Sequence, residues 1–328
     1  MSSGRTERLI LLKDIAAIAK LAVGGVVVWT VPERFWLPIS RLVARVATAM
    51  KPARTRRVAN RVKAVAGGRL ARHPKEVVRE GAALGYIHGL QRLKVGHYRG
   101  FHPRTHVIGR QHIDTALERG RGTILWAGGF ASANLIEPMA LRQVEVPLHH
   151  LSNWHHGISN SRFASRWLNP PIVAAESRYL AERIVRTPGS FSALATLRTR
   201  LEENRVVGIR ASDAAPRVLD LPFLDGRIQL ATGPLELAMI TGAEVLPMFA
   251  VRNDAGEYEV HVDAPIAIRT GGDRKKAVAD AAAEFVARLE PFVVSYPGQW
   301  LGWDQQVRAK HCGDDQTIVE VANAEFQD

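Results

Sequence analysis

A short apolar strand that runs into two glycines is the feature that most constrains this chain. The run Thr123–Ala127 is apolar without interruption, which is typical of a strand buried on both faces. The pair Gly128-Gly129 follows, and a helical pattern begins at about Ser132. Asn134, with Glu137 three positions later, predicts a capping box at the start of that helix. Ligands of α/β sheets collect at such strand-to-helix turns, so we expect a binding site here.

The chain beyond residue 104 alternates between strand and helix patterns, which predicts one α/β domain. Apolar runs predict strands at residues 105–109, 144–151, 172–175, 205–210, 244–251 and 257–262. Helical spacing predicts helices at residues 111–119, 178–186, 190–203, 231–241 and 273–294. The residues after Trp303 are polar, and we expect them to form a loose tail. The predicted organisation is therefore a helical segment at 1–100, an α/β domain at 101–304 and a tail at 305–328.

The positive charge of the chain is concentrated in its first third. The net charge is +12, and residues 1–122 hold far more Lys and Arg than Asp and Glu. The same segment has an apolar stretch at residues 9–31, whose uninterrupted part, residues 21–31, is shorter than the ~20 residues that span a bilayer. Trp29 and Trp36 lie near its end and suit a membrane interface. These features predict a helix that lies on an anionic membrane surface; a buried hairpin helix is the alternative.

Other partners and cofactors are less favoured by the sequence. Nucleic acid competes with a membrane for a basic segment, but the first third carries no nucleic-acid-binding motif. Cys312 is the single cysteine, which excludes an intramolecular disulfide and a zinc site built from several cysteines. A reducing, cytoplasmic setting is the natural inference. There is no Gly-rich phosphate loop and no metal-ligand cluster in the sequence, so we expect no bound cofactor.

Six segments resemble, in order and spacing, the blocks of the bacterial lipid A biosynthesis acyltransferases, part of the wider lysophospholipid acyltransferase group. They are Val107-Ile-Gly109 with 116–125, the Arg-containing block 161–170, the strand segment 201–213, the block 221–238, the block 241–249 and Pro297-Gly-Gln-Trp300. The resemblance implies an α/β, glycerol-3-phosphate acyltransferase-like fold, in which helices flank a mixed sheet. It also implies an enzyme on the cytoplasmic face of the bacterial inner membrane, peripheral or monotopic. Such an enzyme moves an acyl group from acyl carrier protein or coenzyme A to a hydroxyl of a lipid or glycolipid, of lipid A or phospholipid type.

The catalytic turn of that family carries His-x4-Glu or His-x4-Asp, and this chain carries Gly129 and Asn134 at the two positions. An imidazole is the usual base for acyl transfer to a hydroxyl, and a carboxylate about one helical turn later orients it. None of the twelve histidines has an acidic residue five positions later. The catalytic pair has therefore not moved elsewhere as a unit.

Three interpretations of the altered turn stay open. In the first, His155 or His156 supplies the base from a later loop, and Asp213 orients it. In the second, Ser132 or Asn134 positions substrate while the chemistry is weak or different; for Ser132 the N-cap role is favoured over that of a nucleophile. In the third, the scaffold has lost catalysis and binds a lipid, an acyl donor or a protein partner.

Three arginines complete the predicted site, because bidentate guanidinium groups suit phosphate or sugar-phosphate. A position on an amphipathic surface explains the same arginines equally well. The catalytic candidates are His155, His156 and Asp213, and the substrate-binding candidates are Gly129, Ser132, Asn134, Arg162, Arg166 and Arg178.

Overall fold

The structure is a computed structural model that describes residues 12–96, 100–153, 161–187, 190–215, 217–269, 272–310 and 319–322. Four helices come first: α1 (Leu12–Thr30), α2 (Trp36–Met50), α3 (Pro52–Ala66) and α4 (Pro74–Val95). The later helices are α5 (Arg110–Glu118), α6 (Ala133–Gln143), α7 (Asn169–Ser177), α8 (Ser192–Glu202), α9 (Gly233–Thr241) and α10 (Arg274–Ser295). The strands are β1 (Thr105–Ile108), β2 (Thr123–Ala127), β3 (Leu148–Asn153), β4 (Glu182–Arg186), β5 (Val206–Arg210), β6 (Arg217–Phe223), β7 (Gly226–Ala231), β8 (Glu244–Arg252), β9 (Tyr258–Val262), β10 (Val307–Ala309) and β11 (Val319–Ala322).

Seven strands form the main sheet in the order β1-β9-β8-β2-β5-β3-β4. β2 is central and pairs in parallel with β5 and β8, and β3 and β4 continue the parallel part. β9 is antiparallel to β8 and parallel to β1, so the sheet is mixed. The strands β2, β3, β4, β5 and β8 therefore end at one side of the sheet, which we call the carboxyl edge. This α/β architecture, with helices flanking a mixed sheet, confirms the fold class predicted from the sequence.

Strand β2 is apolar throughout because both faces of the sheet are covered. All five of its residues are buried. Trp126 stacks on Phe285 of α10 on one face, with ring centroids 3.9 Å apart. Leu125 points to the other face and belongs to a core cluster with Leu135 of α6. Side chains alternate across a strand, so a strand covered on both faces needs apolar residues at every position.

Four antiparallel strands form a second, smaller sheet in the order β10-β7-β6-β11. The strand β10 pairs with β7, and β11 pairs with β6. The prediction of a loose tail after Trp303 is therefore wrong for these two strands. Strand pairing is made by backbone groups, so a polar segment can join a sheet when a partner edge is available.

Two predicted elements between β3 and β5 are wrong. Residues 172–175 lie in α7 rather than in a strand; its first turn holds proline, whose fixed φ suits a helix start. A short apolar run fits a buried helix as well as a strand, which explains the error. Residues 178–186, predicted as a helix, contain the strand β4. β4 lies at the edge of the sheet and buries only Ile184 fully, so it lacks the apolar run that marks the central strands.

The N-terminal helices pack around α4, which contacts α1, α2, α3 and α7. The outer surface of α1 and α2 exposes several large apolar side chains, and Trp29 and Met50 are 67% and 77% exposed. We call the following exposed residues of α1 and α2 the apolar face: Val23, Val26, Trp29, Leu42, Val46 and Met50. Within the part of the chain that the structure describes, no helix is both long and apolar enough to cross a membrane.

Candidate functional site

The turn after β2 is held in place by a segment that lies far along the chain. The Gly128 amide donates to the Met248 carbonyl at 2.9 Å, and the Trp300 indole Nε1 donates to the Gly128 carbonyl at 2.9 Å. The Leu301 amide donates to the Gly129 carbonyl at 3.0 Å, next to a short bridge between Phe130 and Trp300. The block Pro297-Gly-Gln-Trp300 thus fixes the backbone of the turn from the C-terminal side.

The two glycines of the turn meet different constraints. A Cβ atom on Gly128 would lie 2.6 Å from the Phe249 ring, so close packing requires glycine there. Gly129 has φ +75°, and a Cβ atom on it would meet only the Ala211 carbonyl oxygen, at 4.0 Å. There is therefore room for a side chain at Gly129, but the backbone is left-handed, a conformation that strains any other residue.

Ser132 is the N-cap of α6, and its backbone is left-handed with φ +66°. The predicted capping box is wrong, since Asn134 lies inside the helix and the cap makes no side-chain hydrogen bond. Instead, the Ser132 hydroxyl donates to Gln91 Oε1 at 2.9 Å, and Gln91 donates to the hydroxyl of Tyr258. An amide oxygen is not a base, so this contact does not activate Ser132 as a nucleophile. Burial raises the pKa of Tyr258, which keeps that hydroxyl protonated.

Asn134 accepts a hydrogen bond from Arg210, the last residue of β5. Glu137 follows one helical turn later on the same side of α6. Its side chain is buried, with 3% exposure, and its Oε1 has no hydrogen-bond partner. Burial raises the pKa of Glu137 to about 7, although the positive charge of Arg210 acts in the opposite direction. Burial also lowers the pKa of Arg210, against the attraction of Glu137 and Glu176.

Glu137 is the residue that sequence reasoning missed, because a Glu three positions after Asn reads as a capping partner. The signal was the spacing itself, since two polar residues three apart share one face of a helix whose other residues up to Leu141 are apolar. We call Asn134, Glu137 and Arg210 the edge cluster.

Further charges surround the edge cluster. Glu176 of α7 is buried and forms an ion pair with Arg92 of α4, at 2.7 Å from the guanidinium Nε. Arg183 of β4 also interacts with Glu176, and burial lowers the pKa of both Arg92 and Arg183. Three arginines thus share two carboxylates at this end of the sheet. Among the described residues, no group of three or more His, Cys, Asp or Glu side chains is placed to hold a metal ion.

The predicted arginines lie outside the edge cluster. Arg178 donates to the Val95 carbonyl at 3.1 Å, so it connects the end of α7 to the end of α4. Arg166 is exposed and lies 5.6 Å from the ring centre of Trp167, and Arg162 is also exposed.

The structure describes only one of the three catalytic candidates. Asp213 is half-buried and lies just beyond the end of β5. Its strand neighbours β2, so both it and the turn lie at the carboxyl edge. His155 and His156 lie outside the described residues, so their role as displaced bases stays a prediction.

Residues 178–308 match the sequence model of the family described as bacterial lipid A biosynthesis acyltransferase. The matched part runs from the end of α7 through β10, and it includes Arg210 and Asp213 but not the glycine turn or α6. A search of curated proteins finds no match. The family match confirms the resemblance over residues 178–308, which hold four of the six segments, and supports the chain as a member of the bacterial lipid A biosynthesis acyltransferase family.

Proposed function

We propose that the chain transfers an acyl group from an acyl thioester to a hydroxyl of a lipid or glycolipid at a membrane surface. The observation that carries the proposal is the family match to residues 178–308. The polar edge cluster supports it, because it lies beside a turn at the carboxyl edge, where ligands of α/β sheets bind. Acyl carrier protein or coenzyme A is the proposed carrier of the acyl group. This is transfer of an acyl group other than an aminoacyl group.

The apolar face supports the membrane part of the proposal. Exposed cations lie on the same helices, including Arg41 and Arg45 of α2, followed by Lys51. Apolar and cationic side chains together suit the anionic cytoplasmic surface of an inner membrane, and each cation near it contributes about 1 kcal/mol. Leu37 of α2 packs on the cluster of Leu84, Ile87 and Ala131, so α2 and α4 connect the apolar face to the turn. The helix that carries part of the apolar face therefore also packs beside the turn.

Thiol release from a long-chain acyl-coenzyme A or acyl carrier protein tests the proposed reaction. The assay contains vesicles with phosphatidylglycerol and, as acceptor, either a lysophospholipid or a lipid A-type disaccharide. We expect acceptor-dependent thiol release together with a new acyl ester, detected by mass spectrometry. The proposal fails if no donor and acceptor pair gives release above the buffer rate.

The same assay tests whether His155 or His156 supplies the base. His155→Ala and His156→Ala are measured beside His112→Ala as the matched control. His112 lies in the first turn of α5, after β1, which runs opposite to β2 and so ends at the other side of the sheet. A base at His155 or His156 predicts a large loss of rate in that variant alone. Equal rates in all three variants would remove both histidines from the reaction.

A second candidate function is a family member that binds lipid or acyl donor without turnover. Gly129 and Asn134 favour it, because the resemblance places the family's base and carboxylate at these two positions. The side-chain oxygen of Asn134 also accepts a hydrogen bond from Arg210. This candidate predicts saturable binding of the acyl thioester, measured by calorimetry, with no thiol release over hours. Acceptor-dependent release would exclude it.

The membrane surface is tested separately from the chemistry. Wild type and Val26→Asp are compared by sedimentation with phosphatidylglycerol vesicles and with neutral phosphatidylcholine vesicles. Val26 is 63% exposed, so we expect loss of vesicle binding with little change in the free energy of unfolding. Strong, salt-sensitive retention of nucleic acid in a gel-shift assay, without vesicle binding, would favour the nucleic-acid alternative instead.

A further inference from the structure

We propose that Glu137 is the proton acceptor of this site, in place of the imidazole that the turn lacks. The inference rests on the proposed acyl transfer and names the residue that performs its proton step. A hydroxyl attacks a thioester slowly unless a base takes its proton, so an active site without the usual imidazole needs another group.

The position of Glu137 on α6 suits a base at this site. Glu137 lies on the same helix as Asn134, three residues later, and both act on Arg210. The resemblance places the family's carboxylate at the position of Asn134. The carboxyl group of this chain is thus moved one helical turn along α6, and it remains beside the end of β5.

The side chain of Glu137 also has an unsatisfied hydrogen-bond acceptor. Glu137 Oε1 is buried without a hydrogen-bond partner, and a carboxylate oxygen in that state is costly unless something binds it. The hydroxyl of a substrate would supply the missing donor. Gly129 leaves room for it near the same strand end, because its side-chain position meets only the Ala211 carbonyl, one residue after Arg210.

The charges around the Glu137 carboxyl group also suit a base. Burial raises the pKa of Glu137 to about 7, and Arg210 limits that rise. A group that titrates near the working pH is the most effective base, because it is substantially ionised yet still binds a proton well. Glu176 of α7 also interacts with Arg210, while Arg92 of α4 and Arg183 of β4 interact with Glu176. Arg210 is therefore shared between two carboxylates and does not fully neutralise Glu137.

The proton step balances without any further reactant. The Glu137 carboxylate takes the hydroxyl proton as the hydroxyl oxygen forms a bond to the thioester carbonyl carbon. The carbon–sulfur bond then breaks, and the leaving thiolate receives the proton from the Glu137 carboxylic acid. The products are an acyl ester and a free thiol, and Glu137 returns to its ionised form.

Glu137→Gln tests the assignment, with Glu244→Gln as the matched control. Glu244 is the first residue of β8 and lies at the opposite end of the sheet, with a side chain that is 16% exposed and paired to Arg119. We expect Glu137→Gln to lower kcat by about 10²- to 10⁴-fold and to leave KM nearly unchanged. Glu137→Asp should recover part of the rate, and Glu244→Gln should keep all of it.

Two further readouts separate a catalytic from a structural role. The kcat of the wild type should rise as the pH passes through about 7, and the residual rate of Glu137→Gln should lose that rise. Infrared difference spectra should show a protonated carboxyl band that disappears over the same pH range and is absent in Glu137→Gln. This second readout needs no turnover.

The outcomes distinguish the two proposals. If the wild type transfers acyl groups and Glu137→Gln keeps its rate and pH profile, Glu137 is not the base but acyl transfer stands. If the wild type transfers no acyl group with any donor, the proposed function fails and this assignment fails with it. A lost rate with unchanged pH dependence and a lower unfolding temperature would also overturn it, since that pattern marks a structural role.

Discussion

Two buried carboxyl groups, Asp220 and Glu137, have nearly the same exposure but very different surroundings. Asp220 is 1% exposed and Glu137 is 3% exposed. Asp220 lies in β6 of the small sheet, where its Oδ2 accepts from Arg227 Nε at 2.7 Å and also from Arg308. Each group leaves one oxygen without a hydrogen-bond partner, but Arg210 acts on Glu137 as a nearby charge and donates its hydrogen bond to Asn134 instead. Burial alone therefore does not decide the role of a carboxylate; direct pairing with a cation does.

The largest expected effect is on the paired carboxylate. Asp220→Asn leaves the guanidinium of Arg227, itself 2% exposed, buried without its charge partner. Breaking such a pair costs about 3–5 kcal/mol of the free energy of unfolding. Urea denaturation followed by circular dichroism measures this cost. A loss below about 1 kcal/mol would place Asp220 among the weakly coupled surface pairs and break the comparison.

The next effect concerns the pH dependence of stability at Glu137. The folded-state pKa of about 7 lies above the ordinary value of 4.5, so the folded state holds this proton longer than the unfolded state. Stability therefore falls as the pH rises from 4.5 to 7 and then stays constant, with a total loss of about 3 kcal/mol from this group. Glu137→Gln should lack this loss. Unfolding curves at pH 5 and pH 8 for both proteins measure the difference, and parallel curves would contradict it.

A smaller expected effect concerns the influence of Arg210 on the pKa of Glu137. Arg210→Met removes the cation that favours the ionised form of Glu137, so the pKa of Glu137 should rise further. An opposite charge within about 4–6 Å ordinarily lowers a carboxyl pKa by roughly one to three pH units, and we expect a rise in that range. The midpoint of the infrared carboxyl band measures it. An unchanged midpoint would mean that Arg210 does not act on Glu137.

The smallest expected effect concerns the hydrogen bond from Trp300 that holds the turn after β2. Trp300→Phe keeps an aromatic ring but removes the indole donor to the Gly128 carbonyl. The loss of one such hydrogen bond costs about 1 kcal/mol. Hydrogen exchange should show faster opening of the turn, while amides of the small sheet keep their protection. Equal acceleration in both regions would mean that the turn has no separate local stability.

The sequence predicts the central framework well because local pattern and burial agree there. The strand Thr123–Ala127, the hairpin of β8 and β9 and the long helix α10 all lie close to their predicted positions. Strands β4, β6, β7, β10 and β11 were missed. β4 and the two C-terminal strands carry little apolar pattern of their own, and the buried charges of Asp220 and Arg227 interrupt the apolar runs of β6 and β7. The fold class follows from the buried elements, so these errors leave it intact.

The candidate site was predictable in place but not in composition. The glycine turn marks the carboxyl edge from local pattern alone. The pairing of Asn134 with Arg210 joins residues 76 positions apart, and no spacing rule encodes such a contact. Glu137 shows the same limit: a Glu in the first turns of a helix ordinarily faces water, and only the packing of α6 into the sheet makes it buried.

The hydrogen bond from Trp300 to the turn after β2 affects when that turn can be completed during synthesis. The indole of Trp300 and the carbonyl of Gly128 are separated by 172 residues in the chain. At about 5–20 residues per second, the ribosome needs roughly 9–34 s to make that stretch. Until then the turn lacks its indole donor, and this contact is distant in sequence. The apolar face of a nascent chain is thus synthesised well before the turn receives this hydrogen-bond donor.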